Sequence, residues 1–123
     1  ACPDHIVWVG GLAAVWAPPL YAVGARGFTS GLINVWPERS MDIHAALDAG
    51  DYPTANRLID EMRVFEDIRA EEQNGTNVTG VKAALMAIGQ DCGPTRPPSA
   101  WPLTDRQQAA LDGFVKANGL AGV

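Results

Sequence analysis

Lys82 and Lys116 are the two lysine side chains in a sequence of 123 residues. An amine attacks a carbonyl only as the free base, so a catalytic lysine needs a buried pocket that lowers its pKa. Both fall in segments whose apolar spacing predicts helices. Lys82 stands beside Val81, where its stem would lie on apolar surface and its ammonium reach water. Neither reads as a nucleophile. The remaining candidates are glycines and hydroxyls: Gly10-Gly11, directly after the apolar run Ile6-Val7-Trp8-Val9, and Thr29-Ser30-Gly31, inside a second run. Glycine lets a ligand approach the backbone, and the hydroxyls of Thr29 and Ser30 can hydrogen-bond a carboxylate or alcohol. In an extended segment only one of the two faces a given side. The ordinary alternatives are a plain turn for the glycine pair and satisfied core filler for the hydroxyls.

Other chemistry finds little footing. His5 and His44 are isolated, and Cys2 and Cys92 are far apart with no partner motif, so neither a metal site nor a disulfide scaffold is expected. The acidic cluster Glu66, Asp67, Glu71 and Glu72 reads as a solvated helix face, as do Arg57, Arg63 and Arg69, which alternate with acids. Trp8, Trp16, Trp36 and Trp101 read as core aromatics. No phosphate-binding loop is present and no cofactor is expected. A net charge of −5 without a basic stripe argues against a nucleic-acid partner. Residues 6–23 are apolar but broken by Gly10, Gly11, Pro18 and Pro19, short of the roughly 18 uninterrupted apolar residues of a membrane span. They also lack the basic flank of a signal peptide. The sequons at Asn74 and Asn77 are of a kind common by chance, and a cytoplasmic location is expected.

These residues must be held by the following elements. The continuous β-branched run 6–9 predicts a strand buried on both faces. A short turn or helix up to Trp16 and a helix starting near Pro18 follow, stopped by Gly24 or Gly27. Residues 27–33 predict a second, parallel strand, which completes one right-handed βαβ unit. Pro37 opens a helix that ends at Gly50. Asp51 caps a long helix carrying Tyr52, Ala55, Leu58, Ile59, Met62, Phe65 and Ile68 at helical spacing. After a turn at 74–76, Val78, Val81, Leu85 and Ile88 mark another helix, closed by Gly89. A proline-rich connection, 94–102, leads to a capping box of Thr104 and Gln107 and a last helix burying Leu111, Phe114 and Val115. Two parallel strands cannot cover their own edges.

Five motifs stand in a telling order: Val7-Trp8-Val9-Gly10-Gly11, Gly24-Ala25-Arg26-Gly27-Phe28-Thr29-Ser30-Gly31, Asn34-Val35-Trp36-Pro37, Gly50-Asp51, and Asn77-Val78-Thr79-Gly80-Val81-Lys82-Ala83-Ala84. In order and spacing this set resembles the closing segments of the dihydrodipicolinate synthase/N-acetylneuraminate lyase family. Arg96-Pro97-Pro98 resembles its keto-deoxy sugar acid dehydratase branch. The resemblance implies an α/β fold, the C-terminal portion of a (β/α)8 barrel. Residues 1–50 would form the seventh and eighth units with their two parallel strands, and residues 51–123 a C-terminal helical extension.

It further implies a lyase or dehydratase that forms a Schiff base with a pyruvate-type keto acid or keto-deoxy sugar acid, in a homo-oligomer when complete. The family's Schiff-base lysine, its proton-relaying tyrosine and its carboxylate-holding threonine turn lie on segments that have no counterpart here. No catalytic residue is therefore assigned, and the chain alone is expected to be inactive. Gly10, Gly11, Thr29, Ser30 and Gly31 are the expected substrate-binding wall. The alternative is a non-catalytic module for assembly or interaction.

Overall fold

The computed structural model describes residues 3–98 and 100–121. Five α-helices carry the fold: α1 (Ala17–Ala22), α2 (Pro37–Asp48), α3 (Tyr52–Asn74), α4 (Asn77–Ala87) and α5 (Asp105–Ala117), with short 3-10 turns at Ala14–Trp16 and Gly31–Asn34. Most boundaries have the chemistry that the residue types announce. Pro37 occupies the first turn of α2, where its missing N–H costs nothing. Gly50 follows that helix at φ 74°, and the Asp51 N–H reaches back to the Ala46 carbonyl at 2.8 Å, which satisfies an orphan acceptor. The Asp51 carboxylate then caps α3 by accepting from the Thr54 N–H at 3.1 Å. At α5 the capping box is complete, with Thr104 and Gln107 bonding each other's backbone N–H groups.

Helix α3 is the hub, packing against α1, α2, α4 and α5. Its apolar stripe places Phe65 and Met62 at the centre, with Ile43 from α2, Leu111 from α5 and Leu32 from the second 3-10 turn. Phe65 stacks on Phe114 at 5.8 Å between ring centroids, and Trp36 meets Phe114 edge-on at 6.2 Å. The end of α3 is not regular helix. Glu72, Gln73 and Asn74 turn left-handed, with φ of 52°, 56° and 67°. Thr76, fully buried, closes this turn by donating to the Ile68 carbonyl at 2.6 Å. Gly75 is not left-handed; its place is set by the Glu72 carbonyl, 2.9 Å from where a Cβ would be.

The expected pair of parallel strands is not there. Among the described residues the two runs make one isolated parallel bridge, Gly10 to Phe28, and no strand forms. Three backbone hydrogen bonds join them: Arg26 N–H to Trp8 O at 2.9 Å, Gly10 N–H to Gly27 O at 2.8 Å and Thr29 N–H to Gly10 O at 2.8 Å. β-Branched residues favour a strand only where neighbours pack on both sides, and a two-segment pairing is marginal by itself. Val7, Trp8 and Val9 are instead 70%, 56% and 57% exposed. Where the sequence predicts the rest of the second strand, Ser30 caps a 3-10 turn. The α/β reading of two barrel units is thereby overturned in favour of a helical fold.

Three smaller expectations also change. Trp8, Trp16 and Trp101 are exposed, and only Trp36 joins the core, half-buried. Glu66 and Arg69 are buried rather than solvated. Cys92 is a free, exposed thiol, whereas Cys2 lies outside the described residues.

Candidate functional site

The three backbone hydrogen bonds between residues 8–10 and 26–29 bring Gly11 beside Thr29-Ser30-Gly31. Together these four line a cleft of about 350 Å³, completed by Ala13, Asn34, Arg69, Asn77, Val78 and Val81. Gly10, the fifth expected residue, lies beneath the wall rather than on it. It is buried, its carbonyl accepts from the Thr29 backbone, and its missing Cβ leaves room for Leu20. An adjoining cleft of about 510 Å³ shares Gly11, Ala13, Arg69 and Asn77 and runs along α3 past Arg63 and Asp67. Ala13, common to both, has φ 65° and ψ 177°, a region that is essentially reserved for glycine; such strain persists only where the surroundings impose it.

The two hydroxyls are already engaged. Ser30 accepts from the Leu32 N–H at 3.1 Å and donates to Glu66 Oε1 at 3.0 Å. Thr29 Oγ1 makes a longer contact to the Gly10 carbonyl, 3.4 Å. Thr29 is exposed and Ser30 only half-buried. Of the two, Thr29 has the hydroxyl more easily surrendered to a ligand. Asn34 donates to the Gly31 carbonyl at 3.2 Å and so fixes the exit from the wall.

Behind the wall is a polar cluster. Glu66 is 7% and Arg69 9% exposed. Arg69 Nη1 donates to Glu66 Oε2 at 2.6 Å, and Nη2 donates to Asn77 Oδ1 at 2.9 Å. Arg69 Nε has no hydrogen-bond partner. The cation and the anion nearest the cleft thus neutralise each other. Arg69 is the residue that the sequence reading missed, because an i,i+3 pair of opposite charges looks like a surface pair. A signal was present: Ile59, Met62, Glu66 and Arg69 recur at spacings of three and four, which puts both charges on the buried face.

Elsewhere, Lys82 Nζ donates to the carbonyls of Cys92 at 3.2 Å and Pro94 at 3.1 Å, fastening the loop after α4. Lys116 is exposed on α5. His44 Nδ1 lies 2.7 Å from the Tyr21 hydroxyl, whose pKa burial pushes up, with Asp48 adding to the rise and Arg26 opposing it. Among the described residues no three His, Cys, Asp or Glu side chains converge into a metal-binding group, and no helix is long and apolar enough to cross a membrane.

Known proteins align with this chain over most of its length. The model of the dihydrodipicolinate synthetase family matches residues 1–118. A probable 5-dehydro-4-deoxyglucarate dehydratase of Acinetobacter baumannii is 34% identical over 108 residues, which is 86% of this chain and 34% of that protein. The 5-dehydro-4-deoxyglucarate dehydratase of Pseudomonas putida is 33% identical over 122 residues, 94% of this chain and 39% of that one. The crystal structure of dihydrodipicolinate synthase from Oceanobacillus iheyensis superposes with a TM-score of 0.86 at 36% identity, covering 94% of this chain and 38% of that one. The chain thus spans between 34% and 39% of the length of these curated relatives. With the family match running from the first residue through the cleft wall to the end of α5, this chain belongs to the dihydrodipicolinate synthetase family, in company with its keto-deoxy sugar acid dehydratases.

Proposed function

We propose that this chain supplies one wall of the substrate pocket of a lyase that dehydrates a keto-deoxy sugar acid, 5-dehydro-4-deoxyglucarate or a close analogue, through a Schiff base. The observation that carries the proposal is the convergence of Gly11, Thr29, Ser30 and Gly31 on one cleft. Glycine positions let the ligand lie against backbone. Thr29 and the Asn77 amide offer hydrogen bonds to its hydroxyl and carboxylate oxygens. The similarity to 5-dehydro-4-deoxyglucarate dehydratases supports this substrate class. No cofactor is involved in an imine mechanism of this kind; the chemistry needs only an amine of lowered pKa.

That amine is neither Lys82 nor Lys116. Lys82 donates to two loop carbonyls, Lys116 is exposed on α5, and neither lines the cleft. The chain by itself would therefore bind without turnover. The test combines borohydride reduction in the presence of pyruvate with amide chemical shifts on titrating 5-dehydro-4-deoxyglucarate. No adduct on either lysine, with shifts at Gly11, Thr29 and Gly31, is the expected result. A reduced adduct on Lys82 or Lys116, or shifts confined to other residues, would overturn it.

One observation favours a second reading, that the chain acts by associating with another copy of itself. Val7, Trp8, Val9, Leu12, Trp16 and Val23 are all exposed within residues 7–23, and large apolar side chains left uncovered in this way are what an interface buries. Sedimentation across a range of concentrations tests it, and a monomer at every concentration would refute it.

A further inference from the structure

We infer that Arg69 is a positioning residue for the cleft wall, acting on Ser30 through Glu66 and on Gly31 by direct contact. The inference rests on the substrate-wall reading above and deepens it. One guanidinium joins three separate pieces of chain. It donates to Glu66 on its own helix α3 and to Asn77 at the start of α4, and it packs against Gly31 in the wall.

The contact with Gly31 leaves no slack. A Cβ at that position would fall 2.5 Å from Arg69 Cζ and 2.7 Å from Nε, closer than such atoms ever approach. The guanidinium therefore occupies the space in which a side chain at position 31 would lie. On the other side, the Glu66 carboxylate that Arg69 orients through Oε2 accepts the Ser30 hydroxyl on Oε1. Ser30 in turn caps the 3-10 turn that follows, by accepting from Leu32. The chain of contacts runs from Asn77 through Arg69 and Glu66 to Ser30 and Leu32, with Gly31 pressed against its middle. A buried ion pair contributes little net stability compared with well-packed apolar side chains, so what this one supplies is geometry. Lysine has the same charge but no planar fork, and it cannot serve Glu66, Asn77 and Gly31 together.

The experiment uses the full chain with Arg69→Lys, Ser30→Ala and Ser30→Thr. Amide hydrogen exchange and ¹⁵N relaxation are read at residues 29–32 and, as a reference for global stability, along α5. For Arg69→Lys, exchange of the Leu32 amide should speed up about tenfold, the equivalent of one lost hydrogen bond, while α5 amides hold their protection. Ser30→Ala cuts the tether on a half-buried side chain and leaves the Glu66–Arg69 pair intact. Gly31 should then gain mobility, and Ser30→Thr should restore its wild-type behaviour.

In a titration with 5-dehydro-4-deoxyglucarate, both Arg69→Lys and Ser30→Ala should weaken binding at least about fivefold, a loss on the scale of one hydrogen bond. Unchanged Leu32 exchange in Arg69→Lys, or acceleration equal to that along α5, would show a merely structural pair and overturn the inference. So would unaltered mobility of Gly31 in Ser30→Ala. A wild-type chain whose Gly11 and Thr29 amides do not respond to the sugar acid refutes the substrate reading instead, and the exchange data still decide whether Arg69 holds the wall.

Discussion

Gly31 and Arg69 fit together as a backbone without a side chain against a guanidinium without spare room, with 2.5 Å separating Cζ from the position of the missing Cβ. Val81 closes the same space, 2.7 Å away. Gly31→Ala should therefore cost about 1–3 kcal/mol, the usual penalty for overfilling a packed site. At Gly10 the obstacle is 2.6 Å away but is the tip of the Leu20 side chain, which can turn for about 1 kcal/mol. Urea melts of Gly10→Ala and Gly31→Ala should show the larger loss at 31. Equal losses would mean that Arg69 moves as freely as Leu20.

Removing one member of the buried pair should be worse than removing both. Arg69→Met strands the Glu66 carboxylate away from water, at a cost of about 3–5 kcal/mol. Adding Glu66→Leu should restore most of that loss, because an apolar pair of similar volume replaces the ions. The midpoints of chemical denaturation for the two single variants and the double variant form a cycle that measures the coupling.

The left-handed turn that ends α3 offers a gain. Glu72 and Gln73 hold φ of 52° and 56°, a conformation that costs an ordinary residue about 1–2 kcal/mol. Ala13, at φ 65° and ψ 177°, lies in a different region that is essentially reserved for glycine. Gln73→Gly, whose side chain lines neither cleft, should raise the melting temperature by a few degrees, corresponding to about 1 kcal/mol. Ala13→Gly should stabilise similarly but loosen the segment between the two clefts, so ligand shifts at Gly11 would separate the two effects.

Acid should weaken the fold through three carboxylates. Arg106 first and Gln107 second hold Glu71 below its ordinary 4.5. Arg39, with Arg57, does the same for Glu61, and the Thr54 contacts lower Asp51 from 3.8. A carboxyl whose pKa is depressed in the folded state stabilises fully above its unfolded value and loses that contribution as pH falls through the folded one. Melting temperature should therefore vary little from about pH 7 to about pH 5 on their account and fall below about pH 4.5. These groups face solvent, so salt should shrink the effect. Glu71→Gln should flatten the acid limb; an unchanged limb would show that Glu71 does not drive it.

Where a residue's role depends on its sequence neighbours, the sequence was a good guide. The capping box at Thr104 and Gln107, the cap at Asp51, the proline at the start of α2 and the left-handed Gly50 and Gly89 all stand where local chemistry predicts them. The stripe of α3 was legible because burial repeats with the helical period. What failed depended on distant partners. Val7 and Val9 have strand propensity, yet a strand exists only through its neighbours, and three backbone hydrogen bonds do not make one. Arg69 next to Glu66 looked solvated because spacing shows pairing and not burial. At the cleft, residue type singled out five positions, of which the fold places Gly11, Thr29, Ser30 and Gly31 on one lining and Gly10 beneath them, packed on Leu20.

The placement of the tryptophans decides what light will report. Trp36 alone is packed, edge-on to Phe114 with the Arg39 guanidinium 4.3 Å from its ring centre. Trp8, Trp16 and Trp101 already stand in water. Intrinsic emission should therefore be red-shifted in the native state and change little on denaturation, so it is a poor gauge of folding. Trp8 and Trp16 should instead turn blue when something dry settles over residues 6–16. Fluorescence from this protein watches its surface, and whatever comes to cover that surface, more closely than its core.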